Sequence, residues 1–216
     1  MAAPAPAAHP PAGGRATALR RAVRLELLTV GWNLIEGVVG VAAALAAGSV
    51  ALLGFGVDSF VESASAGVLL WRLGAERREM SPADVERLDR RARRLVALSL
   101  FALAVFVAGD ALWVLARRER PEPSPVGLGL TALSLVVMWW LARAKRRSAA
   151  ELGSRALAGD AFQTTACFWL SAITLVGIGA NAAFGWWWAD PLAALGMTWF
   201  IAAEGREAWR GEECAC

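Results

Sequence analysis

Histidine is almost missing: the 216 residues hold one, His9, and three cysteines, Cys167, Cys214 and Cys216. His9 lies in an Ala/Pro-rich leader, MAAPAPAAHPPAGG, that cannot bury a core and is expected to be disordered, so the residue is given no role. Prolines break any apolar stretch there, and no signal peptide is expected. Three cysteines, one of them inside a long apolar run, do not make a disulfide scaffold. There is no nucleotide-binding glycine motif, no histidine within an apolar run and no nucleophile–base pair, so an enzyme is not expected and no cofactor is assigned. Charge is scarce as well, at 19% of residues against 57% hydrophobic, and it is confined to blocks between apolar runs.

Those runs are long enough to cross the hydrocarbon at about 20 residues each. Six are expected, near 28–47, 49–72, 96–116, 125–143, 161–184 and 189–207. The fold class is therefore all-α, a polytopic membrane protein. Residues 1–24 form a disordered basic tail, 25–208 the six-helix domain and 209–216 a short Cys/Glu tail. Arginines flank the first span (Arg15, Arg20, Arg21, Arg24), crowd the second loop from Arg77 to Arg94, and with Lys145 mark the fourth loop at Arg146 and Arg147. The positive-inside rule then places these loops and both termini in the cytoplasm. Arg117, Arg118 and Arg120 run against the rule but are outnumbered. Ser81-Pro82 opens ADVERLDRRARRL, expected as a short surface helix.

Asp58 and Glu62 interrupt the second run four residues apart, so a helix stacks both carboxylates on one face. Each costs about 2.5 to 3.5 kcal/mol at the bilayer centre, which makes an idle pair improbable and a cation site the natural reading. The heptapeptide GSVALLG at 48–54 recurs as GSRALAG at 153–159, matching at five of seven positions. The same spacing carries Asp58 onto Gln163 and Glu62 onto Cys167. Spans two and five run in opposite directions, so this is a candidate inverted repeat of three plus three helices, a transporter plan with its site near the midplane. Small residues of span two, among them Ser59, Ser63 and Gly67, would let span five approach closely.

On these residues the chain resembles the cation diffusion facilitators, six-helix divalent-metal transporters. GSVALLGFGVDSFVESAS is similar to that family's second span, with its acid-x-x-x-acid pair. SRALAGDAFQTTACFWLS is similar to the fifth, whose usual His-x-x-x-Asp falls here on Gln163 and Cys167. WWWADPLAALGMTWFIAAEG fits the sixth, with Asp190 at its aspartate. The resemblance implies a divalent-cation carrier, Zn2+ being favoured by a set of Asp58, Glu62, Cys167 and the weak donor Gln163. It also implies proton antiport, since acids and thiol must lose protons to bind metal. A bacterial inner-membrane location follows. Members typically continue into a cytoplasmic domain after span six; this chain reads as a short form without it, with a homodimer left open and no nucleic-acid partner. The alternative is a relative that no longer moves ions and acts as a membrane-bound sensor or interaction protein.

Other polar residues divide between functional and structural readings. Asn33 and Glu36 share a face of span one and belong either to a cation path or to an interhelical hydrogen bond. Asp110, near the outer end of span three, belongs either to an entrance of the cation path or to the structure, and Asp160, at the inner mouth of span five, either guides ions or is a helix-end acid beside basic loop residues. Asp190 before Pro191 reads first as an N-cap, and Glu204 as interfacial. The tail Cys214-Ala215-Cys216 is a candidate for soft-metal capture.

Overall fold

The computed structural model describes residues 12–75 and 82–210. His9, Cys214 and Cys216 fall outside them. Six helices follow one another: α1 (Ala12–Ala47), α2 (Val50–Ala75), α3 (Pro82–Arg117), α4 (Pro125–Leu152), α5 (Arg155–Phe184) and α6 (Ala189–Arg210). Two boundaries correct the sequence reading. Residues 12–24, assigned to the disordered tail, are the first turns of α1. The expected surface helix after Pro82 does not stop before span three but continues into it as one 36-residue helix, because nothing between Pro82 and Arg117 breaks the backbone ladder.

Among the described residues, four helical segments are long and apolar enough to cross a membrane, 17–47, 97–117, 125–152 and 157–184. Helix α6 falls short on composition, with Asp190, Glu204, Arg206, Glu207 and Arg210, and α2 carries Asp58, Glu62 and three serines in its apolar length. The bundle turns large apolar side chains outward and encloses charged and polar ones within its apolar core, the reverse of a water-soluble surface. Val105 and Leu45 are 74% and 72% exposed, whereas Glu26, Asn33, Thr131 and Lys145 are fully buried. Such a surface belongs in lipid, so the protein is an integral membrane protein.

Each helix packs on its neighbours in a ring, α1–α2–α3–α6–α5–α4 and back to α1, with α2 also reaching α5 and α6 across the middle. Exchanging α1 with α4, α2 with α5 and α3 with α6 maps nearly all of these contacts onto one another. The turns correspond too. Gly48 and Gly153 both take positive φ, 67° and 62°, which a residue lacking Cβ adopts without strain. The serine after each caps the next helix: Ser49 Oγ accepts from Leu52 N at 3.1 Å and Ser154 Oγ from Leu157 N at 3.4 Å.

Candidate cation site

Asp58 stands eight residues into α2, about 12 Å along the axis from its start, and Glu62 one turn further. Both are buried. Because α2 and α5 are antiparallel, Asp58 meets Cys167 rather than its repeat equivalent Gln163: the thiol donates to Asp58 Oδ2 at 3.8 Å. Gln163 instead accepts at Oε1 from Ser65 Oγ, at 3.1 Å. Neither carboxylate oxygen of Glu62 has a hydrogen-bond partner. An unpartnered buried carboxylate is costly, and its oxygens remain available to a ligand.

A second polar shelf lies on α1. Glu36 Oε2 accepts from Ser59 Oγ at 3.1 Å while its Oε1 is unpartnered. Asn33, one turn away, is fully buried with both amide atoms unpartnered. It lies against Glu62, so this face of α1 turns toward the acid pair. Asp110 stands apart, half-buried on α3. Among the described residues, no three His, Cys, Asp or Glu side chains are grouped closely enough to hold an ion together. The donors Asp58, Glu62 and Cys167 are adjacent but not converged.

Five charged residues carry roles that the sequence reading misses or leaves open. Lys145, a loop residue by its sequence, is fully buried, and its ammonium donates to Glu26 Oε2 at 3.1 Å and to Asp160 Oδ2. Asp160 is thus ion-paired in this conformation, and Glu26 is not singled out by the sequence at all. The available signal is compositional: of 22 basic residues Lys145 is the one lysine. Asp190 is a cap, but of α2 and not of its own helix. Its carboxylate accepts from Ser49 Oγ, from Val50 N at 3.0 Å and from Ala51 N at 3.4 Å, placing an anion on the positive end of the site helix. Glu204, read as interfacial, lies beside Gln163 within electrostatic reach of Asp58 and Glu62, with Oε1 buried and unpartnered.

Residues 27–210 match the cation efflux transmembrane domain family. A protein from Synechocystis sp. described as an uncharacterized transporter is 32% identical over 160 residues, an alignment that takes in 69% of this chain and 49% of the relative. The chain therefore spans about half the length of the curated relative it matches. With nearly all of its helical region matched, the chain belongs to the cation efflux transmembrane domain family.

Proposed function

We propose that this member of the cation efflux family is a carrier for divalent metal cations, Zn2+ foremost, that exchanges metal for protons. The observation that carries the reading is Glu62: a fully enclosed carboxylate with two free oxygens, one turn from an Asp58 that already touches a thiol. Two carboxylates and one sulfur suit a borderline-soft ion such as zinc better than magnesium or calcium, which prefer all-oxygen shells. Gln163 serves as a weak fourth donor, while Asn33, Glu36 and Asp160 line the approach and Asp110, apart from them on α3, stands at an entrance. Loading requires Asp58, Glu62 and Cys167 to give up any protons they hold and to draw together around the ion. Release returns protons, which couples the two fluxes.

The correspondence of the two turns and of the packing ring supports a three-plus-three repeat. With α2 and α6 counted as spans, the arginine distribution supports both termini on the cytoplasmic side, and we assign the protein to a bacterial inner membrane. The decisive measurement is Zn2+ movement in sealed proteoliposomes under an imposed pH gradient. Gradient-driven flux is expected for the native chain, and none for Asp58→Ala or Glu62→Ala. Cys167→Ser should weaken Zn2+ and Cd2+ more than Mn2+, since only the softer ions gain from thiolate. Unchanged flux in the acid variants would sink the assignment.

A second reading, a non-transporting metal sensor, is favoured by the absence of a converged three-donor group among the described residues. It requires proton release on metal binding with no flux that answers to the gradient.

A further inference from the structure

Lys145 is the only lysine of a chain that otherwise takes its positive charge from arginine, and it is buried where arginines are not: Arg146 and Arg147, its immediate neighbours, are exposed. Its ammonium lies between carboxylates from two other helices, Glu26 of α1 and Asp160 of α5. One point in space is therefore within bonding reach of both acids, and a cation already sits there. Two carboxyl groups share one ammonium, and Glu26 Oε1, in a side chain with 0% exposure, has no partner. A divalent ion would neutralise both acids where the ammonium neutralises one. The same ammonium acts through space on Glu62, so this cluster and the acid pair belong to one electrostatic system.

We propose that the position between Glu26 and Asp160 is a second divalent-cation site, held by Lys145 as a tethered counter-cation that an arriving ion displaces. The proposal rests on the carrier reading only in making this site a station on the metal's route. A lysine side chain is suited to being displaced, because an ammonium on a flexible four-carbon stem can withdraw and return, whereas a guanidinium fork would hold both acids in fixed geometry. Displacement also removes the buried ionic tie among α1, α4 and α5, because the three members of the cluster come from these three helices. The structure shows the site with the ammonium in place, fastened at the α4–α5 end of the bundle.

The test uses the full chain, purified in detergent, with Zn2+ as the probe and the acid-pair site removed by Asp58→Asn, Glu62→Gln and Cys167→Ser. In that background, adding Lys145→Met should raise bound Zn2+ by one ion per chain, and adding Glu26→Gln as well should abolish the gain. Ions held by the termini are common to all forms and cancel in the difference. No gain with Lys145→Met, or a gain that survives Glu26→Gln, overturns the proposal whatever the acid pair does in transport. Should Lys145→Met not yield a folded protein, the native chain decides. Its only amines are Lys145 and the N-terminus, so acetylation of Lys145 can be read by mass spectrometry. Zn2+ should raise Lys145 acetylation several-fold, and Asp160→Asn should remove the dependence on Zn2+. Reactivity that is indifferent to Zn2+ in the native chain overturns the proposal.

Discussion

The α1–α2 turn and the α4–α5 turn share a glycine of positive φ, a capping serine and the same sequence pattern, yet the two ends of the bundle are fastened by opposite chemistry. Around the first turn the bonds are backbone and neutral, or a carboxylate bound to backbone. Glu122 N donates to Ala47 O at 2.8 Å, Asn181 Nδ2 donates to Pro121 O at 2.8 Å, and Asp190 caps α2. Nearby, Gly40 and Gly56 bring α1 and α2 into close contact. Around the second turn the fastening is ionic, Glu26–Lys145–Asp160. The spacing that carries Gly48 onto Gly153 carries Gly40 onto Lys145, so the glycine seam of one half is replaced by the buried ammonium in the other. Backbone caps cannot be exchanged for a metal ion. An ammonium can, which under the carrier reading makes the α4–α5 end the one that opens as ions pass.

The largest expected effect lies at the ionic end. Lys145→Ala leaves two buried acids facing each other and should cost about 3 to 5 kcal/mol of stability. Neutralising all three, as Glu26→Gln with Lys145→Met and Asp160→Asn, should recover most of that loss, because a buried triad replaced by uncharged groups carries little net penalty. Reversible unfolding in detergent would show it. A Lys145→Ala chain as stable as the neutral triple variant would mean that charge is not what fastens this end.

At the capped end Asp190→Ala strips an acceptor from Ser49 Oγ, Val50 N and Ala51 N together, and about 2 to 3 kcal/mol should be lost. Asp190→Asn retains one carbonyl oxygen and should lose less. Under the carrier reading transport should fall in both, as a frayed α2 misplaces Asp58 and Glu62. If Asp190→Ala leaves the unfolding midpoint in place, water already satisfies those donors and the end is looser than its hydrogen bonds suggest.

Gly56→Ala probes the glycine seam. The added Cβ would come 2.8 Å from Val41 N, a backbone atom that cannot swing aside. About 1 to 3 kcal/mol should be lost through forced separation of α1 and α2. Gly31→Ala, on the facing helix α1 with open space around its Cβ, is the control and should be neutral or slightly stabilising. Equal effects of the two would remove the seam from the comparison.

How much of this is legible in the sequence follows the same division between the ends. Asp58 and Glu62 stand out because acids inside an apolar run have no cheap explanation, and the Gly-Ser turns show as a repeat because local backbone geometry is written in local sequence. The Lys145 cluster is hidden by the way spans are read. Apolar runs are cut where charge begins, so the expected spans start at 28, end at 143 and start again at 161, leaving Glu26, Lys145 and Asp160 just outside. Helices α1 and α4 run on beyond those limits, α5 begins before them, and the bundle encloses all three side chains. Asp190 reads as a cap because of the proline after it, but its target lies 140 residues away in sequence, and only the packing of α6 against α2 reveals it. Repeat equivalence pairs Cys167 with Glu62 but does not say which residues meet when two helices cross antiparallel, and the thiol also reaches Asp58.

The smallest expected effect separates buried ionic fastening from its surface counterpart at the same end. Arg21 of α1 donates to both carboxylate oxygens of Glu151 on α4 at 3.2 Å, joining two of the helices that Lys145 joins. Its side chains are 56% and 49% exposed, so water and salt screen the attraction and two long side chains must be ordered to make it. Arg21→Ala should therefore cost at most about 0.5 kcal/mol, and raising the ionic strength should erase the difference from the native chain. Lys145→Ala should keep its deficit in high salt, because ions do not reach a side chain with 0% exposure. Measured side by side across a salt series, the two variants test whether the fastening at the α4–α5 end is deep and specific or spread over its surface. A salt-sensitive Lys145→Ala deficit, or an Arg21→Ala loss of equal size, would move it to the surface.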